Sequence, residues 1–169
     1  RLDPESQLAI SWPQLLPGGT KALTIEFRPP DGILHITDLA DGSSRPLGIE
    51  CVFARWSPTG HLLVADGEGH LWAHRFDLES LAVDPERSLV FDDISLTGNL
   101  AAALALSSQG TLAFSRGLVA GSRRDLAEPV LVETDGTRIP LGVEAGSYGS
   151  MAISPDGERL ALEREGREA

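Results

Sequence analysis

His70 and His74 are the two histidines that spacing could bring together, because residues an even number apart on a strand point to one face, here with Trp72 between them. Such a pair, joined by Asp66 or Asp77, could hold a transition metal or act as a base. The spacing nevertheless matches neither a closed nor a catalytic zinc pattern, so the segment reads as polar and aromatic side chains where two sheets meet. His35 and His61 stand alone at strand or turn positions and call for no special role. The stretch Gly146-Ser147-Tyr148-Gly149-Ser150 resembles Gly-x-Ser-x-Gly only superficially, and it precedes a strand instead of forming a strand-to-helix elbow. Asp92 and Asp93 are adjacent, so on a strand they would face opposite ways; they read as a polar loop. Cys51, the single cysteine, adjoins Val52 and Phe53 and reads as a small buried hydrophobe, which excludes an internal disulfide and a cysteine-built metal cluster. No catalytic, metal or cofactor-binding residue is assigned.

The bulk composition points the same way. A chain of 169 residues with 41% apolar residues is long enough to bury the core of one ordinary domain. With 25 acidic against 14 basic residues the formal charge is -11, which repels nucleic-acid phosphates and anionic lipid headgroups. Nucleic acid and membrane surfaces are therefore excluded as first partners. No stretch reaches the length of a membrane span, and the opening Arg1-Leu2-Asp3-Pro4 has no signal-peptide hydrophobic region; a chain that opens on Arg reads as cut from something longer.

The elements that must position these side chains are set by an internal repeat. A turn followed by an apolar strand recurs as Leu16-Pro17-Gly18-Gly19, Ser57-Pro58-Thr59-Gly60, Ser107-Ser108-Gln109-Gly110 and Ser154-Pro155-Asp156-Gly157. Gly19, Gly60, Gly110 and Gly157 are separated by about 41, 50 and 47 residues, close to the period of a four-stranded propeller blade. Proline presets φ at the start of such a turn, and glycine supplies the positive φ that reverses the chain. Apolar runs on both sides of each turn give a first and second strand. Ile33 to Asp38, His70 to Phe76 and Val130 to Thr134 give a third, each followed by a reversal and a fourth. The Ala-rich run Leu100 to Leu106 has helical propensity, but its place in the repeat makes it a strand. These periods predict an all-β propeller segment of four-stranded antiparallel blades at about residues 6 to 50, 51 to 95 and 98 to 145, with a half blade at 146 to 169.

The Ser-Pro-Asp-Gly turns resemble the repeats of TolB-like, WD40-like (PD40-type) bacterial propellers. The run Gly69-His70-Leu71-Trp72-Ala73-His74-Arg75-Phe76-Asp77 and the run Ala105 to Phe114 are similar to strands of propellers attached to bacterial serine/threonine kinases and winged-helix regulators. The resemblance implies a non-catalytic protein-interaction or sensory module of a larger bacterial protein, with a protein or peptide partner and no cofactor. It is compatible with a periplasmic or a cytoplasmic location. The alternative is the substrate-gating propeller of a prolyl-oligopeptidase-type serine peptidase whose hydrolase domain lies outside this chain.

Such relatives generally carry six or more blades. An open ring exposes sheet faces that something must cover, and two copies could pair as a homodimer to complete it. Loops on a rigid scaffold carry function more often than its strands do. The longest connection, residues 115 to 128, is the expected interaction loop, with Arg116, Arg123 and Arg124 as its cationic residues.

Overall fold

The computed structural model describes residues 9–28, 30–96, 102–116, 128–146, 148–154 and 156–164. They form strands and connections with no helix among them. The first sheet holds β1 (Ala9–Leu15), β2 (Lys21–Arg28), β3 (Asp31–Asp38) and β4 (Ser44–Cys51). The second holds β5 (Phe53–Ser57), β6 (His61–Ala65), β7 (Leu71–Asp77) and β8 (Ala82–Phe91). The third holds β9 (Leu104–Leu106), β10 (Leu112–Arg116), β11 (Glu128–Val132) and β12 (Arg138–Pro140), and β13 (Tyr148–Ile153) pairs with β14 (Leu160–Arg164). In each four-stranded sheet the spatial order follows the sequence order and neighbours are antiparallel, which is a propeller blade. First strands adjoin across blades, β1 against β5 and β9 against β13.

The repeat glycines do what the turn requires. Gly19, Gly60, Gly110 and Gly157 have φ of 67°, 79°, 92° and 77°. In every copy the glycine N–H donates to the carbonyl three residues earlier: Leu16, Ser57, Ser107 or Ser154. The serine side chain also contributes, since the Ser107 hydroxyl accepts from the amides of Gln109 and Thr111, and that of Ser154 accepts from the Arg159 amide. That hydroxyl occupies backbone donors that the reversal would otherwise leave unmet.

Two apolar layers hold the blades together. Leu23 and Ile25 of β2, with Leu34 and Ile36 of β3, pack on Leu62 and Val64 of β6 between blades one and two. Leu63 and Ala65, the alternate residues of β6, join Phe91, Leu112, Phe114 and Val130 between blades two and three. A strand covered on both faces must be apolar throughout, which is why β6 reads Leu-Leu-Val-Ala without alternation. Burying one such leucine contributes roughly 1.5–3 kcal/mol.

Of the helix-like run Leu100 to Leu106, Leu100 and Ala101 lie outside the described residues; Ala102 bridges to Leu96 and Leu104–Leu106 form β9, as the repeat requires. The outermost strand of each full blade contains a proline: Pro46 in β4, Pro85 in β8 and Pro140 in β12. β4 and β8 are further interrupted by shifts of register, where Gly48 takes φ of 73° and where Asp84 to Glu86 fall between the paired residues Val83 and Arg87.

Candidate binding surface

Antiparallel order sends the turns between second and third strands to one end of the blades, together with the connections from each fourth strand to the next blade. At that end Asp66 opens the β6–β7 turn. One of its oxygens accepts from the amides of Glu68 and His70, and the other lies 2.9 Å from His70 Nδ1 and 3.0 Å from Trp72 Nε1. Partial burial raises the pKa of this carboxyl, but the donors from Trp72, His70 and Glu68 outweigh it and hold the group below the ordinary carboxylate range. His70 stands edge-on to Trp72 at 6.0 Å, and the Arg87 guanidinium lies 3.9 Å over the Trp72 ring.

The two histidines that spacing paired take different partners in the fold. His70 precedes β7 and belongs to the turn, whereas His74 lies buried within the strand, its Nδ1 3.4 Å from the Asp84 carbonyl oxygen. Burial holds the His74 pKa down. Among the described residues, Asp66, Glu68 and His70 form a cluster of three whose ligating atoms lie within 4.8 Å of one another. Because both Asp66 oxygens already accept from the turn and from Trp72, the cluster closes the hairpin. Cys51 is buried and its thiol is pushed up to about 12 by burial and by Asp31, so it is neither a nucleophile nor a ligand at neutral pH.

Arg116 ends β10 at the same end, and its Nε donates to Asp93 at 2.7 Å. Arg123 and Arg124 lie outside the described residues, as does Ser147 of the Gly146 to Ser150 stretch. The opposite end carries an open cleft of about 510 Å³ on blade two, between Thr59 to His61, Arg75 to Asp77 and Ala82 to Asp84.

On the first strands, Arg55 of β5 shares a face with Phe53, its guanidinium 5.3 Å from that ring, and Trp12 of β1 meets the same ring at 6.2 Å. Gln14 binds the next backbone step in both directions, accepting from the Trp56 amide at 2.7 Å and donating to the Trp56 carbonyl. Arg55 is half-buried, which lowers its pKa, and has no hydrogen-bonded or ion-paired partner among the described residues.

One grouping has no signal in a single strand. Glu26, His35 and Ser44 are nine residues apart in turn, on β2, β3 and β4, and all face away from blade two. His35 Nε2 lies 3.3 Å from a Glu26 oxygen and Nδ1 lies 3.2 Å from Ser44 Oγ. The repeat of nine across two hairpins was the available clue.

No protein-family profile and no curated protein sequence matches the chain. Solved structures do. TolB from Acinetobacter baumannii superposes with a TM-score of 0.67 at 17% identity over 97% of this chain and 40% of that one. The tricorn protease matches with a TM-score of 0.58 at 14% identity, over 92% of this chain and 15% of that one. The β-propeller domain of the Trilobed protease from Pyrococcus furiosus, described as having an open velcro topology, matches at 0.51 and 18% identity, over 94% and 51%. The chain thus spans about half or less of each structure it resembles. It has a TolB-like β-propeller fold, with a ring that the described strands do not close.

Proposed function

We propose that this chain is a protein-interaction or sensory segment of a larger bacterial propeller protein, binding without catalysis where its first strands converge. The ligand is a carboxylate-bearing stretch of a partner protein or peptide. The observation behind this reading is Arg55, a half-buried guanidinium with no counter-ion among the described residues, backed by Phe53 and Trp12. A cation in that setting has lost hydration without gaining an ion pair, and an incoming carboxylate offsets the loss with charge-assisted, two-pronged hydrogen bonds. Arg123 and Arg124 of the 115 to 128 connection are a second contact in this reading; Arg116 already serves Asp93.

The indoles of Trp12 and Trp56 make the test direct. Titrating the protein with a short peptide ending in a free carboxylate should change tryptophan fluorescence, whereas the same peptide as its C-terminal amide should not. Arg55→Gln should weaken the binding by about 10- to 100-fold, the loss of a hydrogen-bonded charge pair. Equal affinity in Arg55→Gln and wild type removes Arg55 from the site.

A second reading is the substrate-gating propeller of a serine peptidase. Its support is the likeness to the tricorn and Trilobed protease structures. A Gly-x-Ser-x-Gly hydrolase encoded after Ala169 would favour it, and further propeller repeats there would favour the first.

A further inference from the structure

The polar face of blade one carries a connected chain of hydroxyl, imidazole and carboxylate groups. Thr24 Oγ1 lies 3.0 Å from Thr37 Oγ1, which lies 3.1 Å from Ser44 Oγ, and the chain continues through His35 to Glu26. The distances admit one neutral tautomer that connects the chain: a carboxylate only accepts, so a proton on His35 Nε2 faces Glu26, and Nδ1 is then left to accept from the Ser44 hydroxyl. Ser44 in turn can accept from Thr37, and Thr37 from Thr24.

The burial follows the same order. Ser44 is exposed, while the side chains of His35 and Glu26 are only 13% and 19% exposed. A shielded carboxylate orients a shielded imidazole, which presents its free nitrogen to a hydroxyl in solvent; this is the nucleophile, base and orienting group recognised by geometry in acyl-transfer sites.

The strands supply the positions. Thr24 pairs with His35, placing Glu26 diagonally across β2, and Thr37 pairs with Ser44, placing Ser44 diagonally across β4. The register shift near Gly48, which pairs His35 with Pro46 while Ile33 pairs with Glu50, sets the Ser44 end of β4 relative to His35.

We infer that Ser44 is an activated nucleophile for small acyl and phosphoryl donors, with His35 as its general base and Glu26 as the positioning residue. This goes beyond the binding role and stands on a different face from Arg55. With an activated ester, Ser44 Oγ bonds to the carbonyl carbon as its proton passes to His35 Nδ1. The bond to the leaving alcohol then breaks, and the alcohol takes that proton away. Water repeats the sequence on the acyl-serine, releasing the carboxylic acid and restoring the hydroxyl. With a fluorophosphonate the new bond is Oγ–P, fluoride leaves, and the reaction stops at the adduct. The ligand class is small and activated because Ser44 lies open at the start of β4, and such donors bring their own good leaving group.

The experiment is to treat the folded full-length protein with an alkyl fluorophosphonate and map the adduct by mass spectrometry, following p-nitrophenyl acetate hydrolysis in parallel. The adduct should fall on Ser44 and disappear in Ser44→Ala and in urea-unfolded protein. His35→Gln should slow labelling by at least about 100-fold, the lower range of a general base. Glu26→Gln should slow it as well, with partial recovery in Glu26→Asp. If His35→Gln does not fold, diethyl pyrocarbonate modification of the folded wild-type protein reads the same step and should block labelling. The inference is overturned by no Ser44 adduct on the folded protein, as when another blade covers this face. It is equally overturned by labelling that persists after unfolding or after loss of the imidazole.

Discussion

Asp66 shows how one side chain can serve structure where its neighbours suggest chemistry. Its carboxylate gathers two amides, an imidazole and an indole, and so fixes the β6–β7 turn and the orientation of Trp72 together. Glu68, 82% exposed, approaches His70 at 3.6 Å, and among the described residues its side chain makes no other ion pair. Asp66→Ala should therefore lower stability by about 1–2 kcal/mol, discounted for partial exposure, while Glu68→Ala should stay within about 0.5 kcal/mol of wild type. Urea unfolding followed by tryptophan fluorescence distinguishes the two, and equal effects would mean that the carboxylate is not organising the turn. The Asp66-Gly67 pair reads in the sequence as a turn, and the structure places the positive φ of that turn at Gly69. The grip of Asp66 on Trp72 was not legible, because that depends on which way the indole rotates. Glu26, His35 and Ser44 escaped for a related reason: a single-strand reading sees each alone, and only the pairing register brings them side by side.

At the scale of the element, the turns were the most readable part of the chain, since Gly19, Gly60, Gly110 and Gly157 each sit where only a positive φ reverses the strand. The Leu100 to Leu106 run reads as a strand against its helical propensity, and its described end pairs with β10 from Leu104 to Leu106. The turns between third and fourth strands, together with that of Gly157, carry a pH signature. Asp38 is held below its usual pKa by Lys21 and then by the Ala40 amide, Asp41 by Ser43, Asp77 by the Ser80 and Glu79 amides, Asp135 by the Thr137 amide and Asp156 by the Ser154 hydroxyl. A carboxyl whose folded pKa lies below its unfolded value lends stability that is complete above the unfolded value, near 3.9, and drains away as pH falls through the folded one. The denaturation midpoint should accordingly be level between about pH 7 and 5 and decline below about 4. A midpoint that rises on acidification would contradict these turn assignments.

At the scale of the molecule, the architecture was readable because a repeat states its own period, and the two buried layers confirm the stacking that the period implied. Ring completion by a second copy and the Ser44 chemistry are alternatives, because a copy that closes the ring covers the free face of blade one: a mass of twice the 18.0 kDa chain down to low micromolar concentration in light scattering supports the ring, and a mass of one chain at every dilution refutes it. The prolines of β4, β8 and β12 have a consequence for misassembly. An intruding strand from another molecule needs a run of free N–H groups to template on, and each of these outer strands breaks that run with Pro46, Pro85 or Pro140. β14 reads Leu-Ala-Leu-Glu-Arg, contains no proline, and among the described residues pairs with β13 alone. Fibril seeding and strand exchange are thus blunted at the outer strands of the three full blades.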